Sequence, residues 1–142
     1  MRILFFYILL VIPFFSYADE NFGTWNDNCD NVNFSIQLEK TALPLIINDN
    51  QIVISIHAVS KNNRIDVFFD NTLDLGRGGM SMNWADVDKS KKIAEMIIHD
   101  KIGYFKWLGF YDKKTNKYFW VSKPDFSEFY SEGNIIRMVK CN

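Results

Sequence analysis

Apolar and polar residues alternate along much of this chain, which is the pattern of strands with one buried face. Between Asn33 and Lys40, Phe34, Ile36 and Leu38 point one way while Asn33, Ser35, Gln37 and Glu39 point the other. Leu45-Ile46-Ile47 and Gln51 to Val59 flank Asn48-Asp49-Asn50, whose turn chemistry makes the pair a hairpin. In the second arm Ile52, Ile54, Ile56 and Ala58 share the core face, leaving Val53, Ser55, His57 and Val59 opposite. Lys61-Asn62-Asn63 is a second turn, and Arg64 to Asp70 follows with Ile65, Val67 and Phe69 inward. Hairpins in succession form an antiparallel meander.

The middle of the chain is less regular. Gly76-Arg77-Gly78-Gly79 reads as a flexible or left-handed loop, and Met80 to Trp84 as a short strand. Asp86 to His99 is expected to be a helix. Asp86 and Asp88 suit its N-terminus, Ile93, Met96 and Ile97 fall at i, i+3 and i+4, and Gly103 lies just beyond to end it. Tyr104 to Asp112 and Lys117 to Ser122 flank Lys113-Lys114-Thr115-Asn116 as a third hairpin, and Ile135 to Cys141 is the last strand, after Ser131-Glu132-Gly133-Asn134. The expected fold is mostly β: an antiparallel sheet curled into a small sandwich or barrel, with one packed α-helix.

The N-terminus changes the picture. Arg2, the apolar run Ile3 to Phe15 and the small residues of Ser16-Tyr17-Ala18 have the order of a secretory signal, with cleavage expected before Asp19. The run is too short for the roughly 20 residues of a membrane span, and Asp19 and Glu20 end it. The mature chain, residues 19–142, is then one periplasmic or secreted domain with no membrane insertion. Its charge is 15 Lys+Arg, after loss of Arg2 from 16, against 17 Asp+Glu, or −2. That near balance lacks the basic excess of a nucleic-acid or anionic-membrane surface. The two cysteines, Cys29 and Cys141, lie near its two ends, and in an oxidising compartment they read as one disulfide.

Candidate chemistry is sparse. His57 and His99 are the only histidines, and neither lies in a hydrolase or metal-ligand motif. His99 falls in the last turn of the expected helix. Asp27 and Asp30, with Asn26, Asn28 and Asn31, read as Asx turns before the disulfide rather than a calcium loop. Neither metal nor organic cofactor is expected. Gly76–Gly79 with Arg77 offers backbone N–H groups to an anion, but a turn or bulge is the ordinary reading. Asn33-Phe34-Ser35 has the form of a glycosylation sequon. Gly23-Thr24-Trp25 resembles the Gly-x-Trp that opens the lipocalin barrel; the match covers these three residues, and no family is assigned on it.

The third hairpin is the most informative segment. A four-residue loop pairs Asp112 with Lys117, Tyr111 with Tyr118, Phe110 with Phe119 and Gly109 with Trp120. Period-two alternation then puts Leu108, Phe110, Phe119 and Val121 on one face, and Trp107, Tyr111, Tyr118 and Trp120 on the other, with a gap above Gly109. The first face is core. The second carries a polar tip on every ring and suits a half-wet binding surface, with Lys113, Lys114 and Lys117 beside it to favour an acidic rim on the partner. The competing expectation is a second buried layer. The functional expectation is an exported small binding protein that engages a protein or other envelope macromolecule, for example as inhibitor or immunity protein against a hydrolase or toxin. The alternatives are a carrier holding an apolar ligand inside a barrel, and a hydrolase using His57.

Overall fold

The computed structural model describes residues 19–49 and 51–141, so the expected signal, Met1 to Ala18, lies outside the described residues. Eight antiparallel strands form one sheet: β1 (Gly23–Asn26), β2 (Ser35–Leu38), β3 (Leu43–Asn48), β4 (Ile52–Lys61), β5 (Arg64–Leu75), β6 (Lys92–His99), β7 (Ile102–Trp107) and β10 (Ile135–Val139). The order across the sheet is β2-β1-β10-β7-β6-β5-β4-β3, so β3 to β7 run as a meander of chain neighbours, β1 pairs with β2, and β10 joins β7 to β1. This is an up-and-down barrel, open only where β2 and β3 share no ladder. A two-stranded satellite, β8 (Phe110–Asp112) and β9 (Lys117–Phe119), completes the β structure.

The alternation read from the sequence builds the interior. Ile36 and Leu38, Ile54 and Ile56, Ile65 and Val67, Phe105, and Ile136 and Met138 are all buried. Eight strands enclose a lumen just wide enough for side chains to fill, and these residues fill it. Cys29 and Cys141 are bonded, with Cα atoms 5.5 Å apart across a separation of 112 residues. The bond sits beside the Asn26↔Val139 pairing, so it staples the seam where the last strand meets the first.

The expected helix over Asp86–His99 is instead strand β6, preceded by a 3-10 turn at Trp84–Asp86. The physical reason is a bulge. Val67 faces Ala94 and Phe68 faces Lys92, leaving Ile93 as an extra residue. Ile93 and Ala94 are therefore both buried. That breaks the period of two and imitates the i, i+3, i+4 spacing of a helix. Asp100 and Lys101, at φ 48° and 66°, form the two-residue turn into β7. His99 is consequently an exposed strand end, not a helix end. Gly103 lies within β7, where a Cβ would come 2.5 Å from the Met96 sulfur, rather than ending a helix. Met80 to Trp84 holds no strand, and Gly76–Gly79 is not a left-handed loop: Gly76 is extended, at φ −75°, and Arg77–Met80 form a single right-handed helical turn, α1.

The open side is plugged by a 3-10 segment, Asp125–Phe129. Phe126 is buried, with its ring centroid 4.9 Å from Phe34, 5.9 Å from Phe105 and 5.7 Å from Trp107. Asn48 anchors this plug to β3. Its amide donates to the Lys123 carbonyl at 2.8 Å and to Asp125 at 3.0 Å, and its oxygen accepts from Ser122 at 2.7 Å. A buried amide with all these partners is satisfied, and its bonds hold the segment in one place.

Candidate functional site

The third hairpin has the register expected of it: Phe110↔Phe119, Tyr111↔Tyr118 and Asp112↔Lys117. Trp120 also lies over Gly109, where a Cβ would stand 2.3 Å from its ring. Trp107 does not join this face. Gly109, at φ +96°, breaks the chain between β7 and β8, so alternation does not carry through from one to the other. Trp107 therefore ends β7 facing the barrel and is only 3% exposed, edge-on to Phe110 at 5.6 Å. The expectation that it lies on the binding surface is corrected: it is core.

Tyr111, Tyr118 and Trp120 do come together. Tyr111 and Tyr118 pack edge to face at 5.1 Å, and Lys91 lies over the Tyr111 ring at 5.4 Å. Tyr118 and Trp120 are 41% and 40% exposed. Their polar tips are satisfied within the chain. The Tyr118 hydroxyl donates to the Lys92 carbonyl at 2.9 Å, and the Trp120 indole to the Leu108 carbonyl at 3.0 Å. Burial raises the Tyr118 phenol above its ordinary pKa, although Lys92 works against the shift. What the patch leaves in solvent is thus ring faces held in fixed positions.

The hairpin is clamped at its base and tip. The Asp88 amide donates to the Tyr111 carbonyl at 2.8 Å, and the Lys113 amide to the Asp86 carbonyl at 2.9 Å. Lys114 pairs with Asp86 at 2.7 Å, and the Lys113 ammonium donates to the Ala85 carbonyl at 3.2 Å. These two lysines are therefore drawn towards the 84–86 turn instead of flanking the aromatic face; Lys117 stays exposed. Beneath the hairpin, on the outer face of the sheet, Asp66 is only 4% exposed and is held by Arg64 at 3.2 Å and Lys92 at 3.1 Å. Lys92 also meets Glu95 at 2.5 Å. Burial works to lower the Lys92 pKa, but the two carboxylates outweigh it and hold it above the ordinary value.

Three other candidates resolve differently. His57 faces outward, as alternation places it, with Nδ1 2.6 Å from Asp70 and its ring stacked on Phe68 at 5.3 Å. Asn28 accepts from the Asp30 amide at 3.0 Å, an Asx turn, whereas Asp27 accepts from the Asn33 and Phe34 amides at 3.0 Å, six and seven residues on, and so closes the whole loop instead of forming an Asx turn. Burial raises the Asp27 carboxyl, but these donors outweigh it and hold its pKa below the usual value. The Gly78 amide already donates to the Gln51 side chain at 2.8 Å, so the glycine loop does not present it to an anion. Among the described residues no three histidine, cysteine or carboxylate side chains gather as a metal-holding group. None of the described helices is long and apolar enough to cross a membrane, and the disulfide is consistent with an oxidising compartment.

Alternation did not reveal the groove at the open side of the barrel. It has a volume of about 740 Å3 and lies between β2, β3 and the 125–129 plug. The chain matches no protein-family profile, no curated protein and no solved structure.

Proposed function

We propose that this is an exported binding protein that engages another macromolecule through the ring faces of Tyr111, Tyr118 and Trp120 beside Gly109. A cell-envelope protein, such as a hydrolase or toxin that it would inhibit, is the concrete case. The observation that carries the reading is the pair of large rings left two-fifths in water on a hairpin fixed by one ion pair and backbone bonds. Pre-positioned aromatic rings with little conformational entropy left to lose are what anchors of protein recognition have in common. The lumen supports the same reading: it is packed with Leu38, Ile54, Phe105 and Met138, which favours recognition on the outer surface over an apolar ligand carried inside. Export with cleavage before Asp19 follows from the signal-like order of the first residues, and intact mass of the exported protein checks it: a form still beginning at Met1 overturns it.

The experiment is capture of the partner from envelope extracts by the mature protein, followed by titration of that partner against Trp120→Ala and Tyr118→Ala. The reading expects each change to weaken binding by about 2 kcal/mol, the hot-spot scale. Unchanged affinity in both would overturn it.

One contact supports a second reading. Asp70 holds Nδ1 of His57, which orients the ring as a base would be oriented in a hydrolase, with Ser55 two residues earlier on the same strand. Ester or amide hydrolysis by the purified protein that disappears in His57→Ala would favour it over binding alone.

A further inference from the structure

The barrel fails to close at one place, and the reason lies in β3. Pro44 has no amide hydrogen, and a bulge between Ile46 and Asn48 disturbs the strand further on. Strand β3 is thus a poor ladder partner on its free side. Strand β2 is not blunted in this way. The Asp27 amide donates to the Phe34 carbonyl at 3.0 Å, which makes Asp27↔Phe34 a hydrogen-bonded pair. Antiparallel ladders alternate, so Ile36 and Leu38 also face β1, while the N–H and C=O groups of Ser35 and Gln37 face the gap. Among the described residues no backbone group pairs with them.

The groove beside this edge has an apolar wall and an acidic rim. Ile46 and Phe129 are 53% and 37% exposed within it. Asp49, Asp125 and Glu128 line it, and no lysine or arginine does. Asp125 is engaged, accepting from Asn48 and from the Asp49 amide. Neither Asp49 nor Glu128 makes an ion pair among the described residues.

We propose that this groove receives an extended segment of a partner protein, which adds as a strand along β2 and places lysine or arginine opposite Asp49 and Glu128. Main-chain bonds to Ser35 and Gln37 supply sequence-independent attachment, and alternate apolar side chains of the segment rest on Ile46 and Phe129. The acidic rim selects a basic segment and disfavours an acidic one. A second copy of this chain, meeting edge to edge, is the rival occupant. The proposal does not rest on the aromatic hairpin, and the test separates the two surfaces.

The probe is a displayed library of random linear peptides selected against the mature, disulfide-bonded protein, followed by titration of a selected peptide with amide exchange read residue by residue. Selected sequences are expected to alternate apolar residues with lysine or arginine, and binding to slow exchange at Ser35 and Gln37. The double variant Asp49→Lys with Glu128→Lys, both at exposed positions, should weaken the basic peptide by about tenfold, the scale of two rim charge pairs reversed. Trp120→Ala should leave that affinity unchanged, whatever becomes of the hairpin reading. Any of four results overturns the proposal: no enrichment over an unrelated β-barrel, selected peptides with no preference for basic residues, binding without protection at Ser35 and Gln37, or protection there that grows with protein concentration in the absence of peptide. The last would assign the edge to a second copy.

Discussion

Trp107→Ala and Trp120→Ala separate core from surface in one thermal melt. The two indoles differ in burial, 3% against 40% exposed. Truncating Trp107 empties a space walled by Phe110 and Phe126, whose rings stand 5.6 and 5.7 Å away. Those walls are tied into the barrel and its plug and cannot follow, so the loss should fall in the range of about 3–5 kcal/mol for a buried tryptophan. Trp120 loses one hydrogen bond at the surface, about 1 kcal/mol net, and only part of its apolar contact; water enters the vacated space, so no cavity remains. About 2 kcal/mol is expected. A domain of this size loses about 0.25 kcal/mol per degree at its midpoint, so Trp107→Ala should melt about 15 °C lower and Trp120→Ala about 8 °C lower. The assay is far-ultraviolet circular dichroism of the oxidised protein during heating. Equal losses, or a larger loss at Trp120, would refute the placement of Trp107 in the core and the reading of the hairpin as an open face.

Other consequences follow from single residues. Cys141→Ser opens the seam between β1 and β10; the chain-entropy relation gives a loss of about 4–5 kcal/mol for a loop this long, to be read as a lowered melting temperature, and an unchanged Tm would contradict a stapled barrel. Gly109→Ala combines a φ of +96° with a Cβ 2.5 Å from the Phe119 carbonyl, so it should cost about 2–4 kcal/mol in denaturant unfolding. Asp27 has its folded pKa held below 3.8, so its contribution is present above that value and is lost as pH falls through the folded pKa. Asp27→Asn should therefore be less stable than the parent at neutral pH, with the difference shrinking below about pH 4; a difference constant with pH would show the carboxylate charge to be irrelevant.

Local alternation carried most of the meander. Phe34 with Ile36 and Leu38 of β2, Ile52, Ile54, Ile56 and Ala58 of β4, and Ile65, Val67 and Phe69 of β5 are buried as the pattern orders them, because each strand has one face towards a single lumen. The cysteine pair also pointed to the closure, since it lies beside the β1–β10 ladder. What stayed hidden depended on irregularities. The bulge at Ile93 disguised β6 as a helix, and Asp100-Lys101 turns the chain without a glycine or asparagine to announce it. Within the candidate site, the β8–β9 register was legible because it is local. Trp107 was misplaced because the left-handed backbone at Gly109 resets the alternation, and a glycine in the sequence does not reveal its φ. The groove was illegible because it lies between strands that fail to pair, and that failure depends on the whole barrel.

The claim that the exposed hairpin rings are a recognition surface is tested most directly by placing a photo-crosslinking amino acid at position 120, and separately at the exposed Leu73 on β5, in the full-length protein in its own cells. The account predicts one discrete macromolecular adduct from position 120, absent from position 73 and diminished when Tyr118 is changed to Ala. Discrete adducts of equal yield from both positions, or none from position 120 while the protein is folded and oxidised, would contradict it.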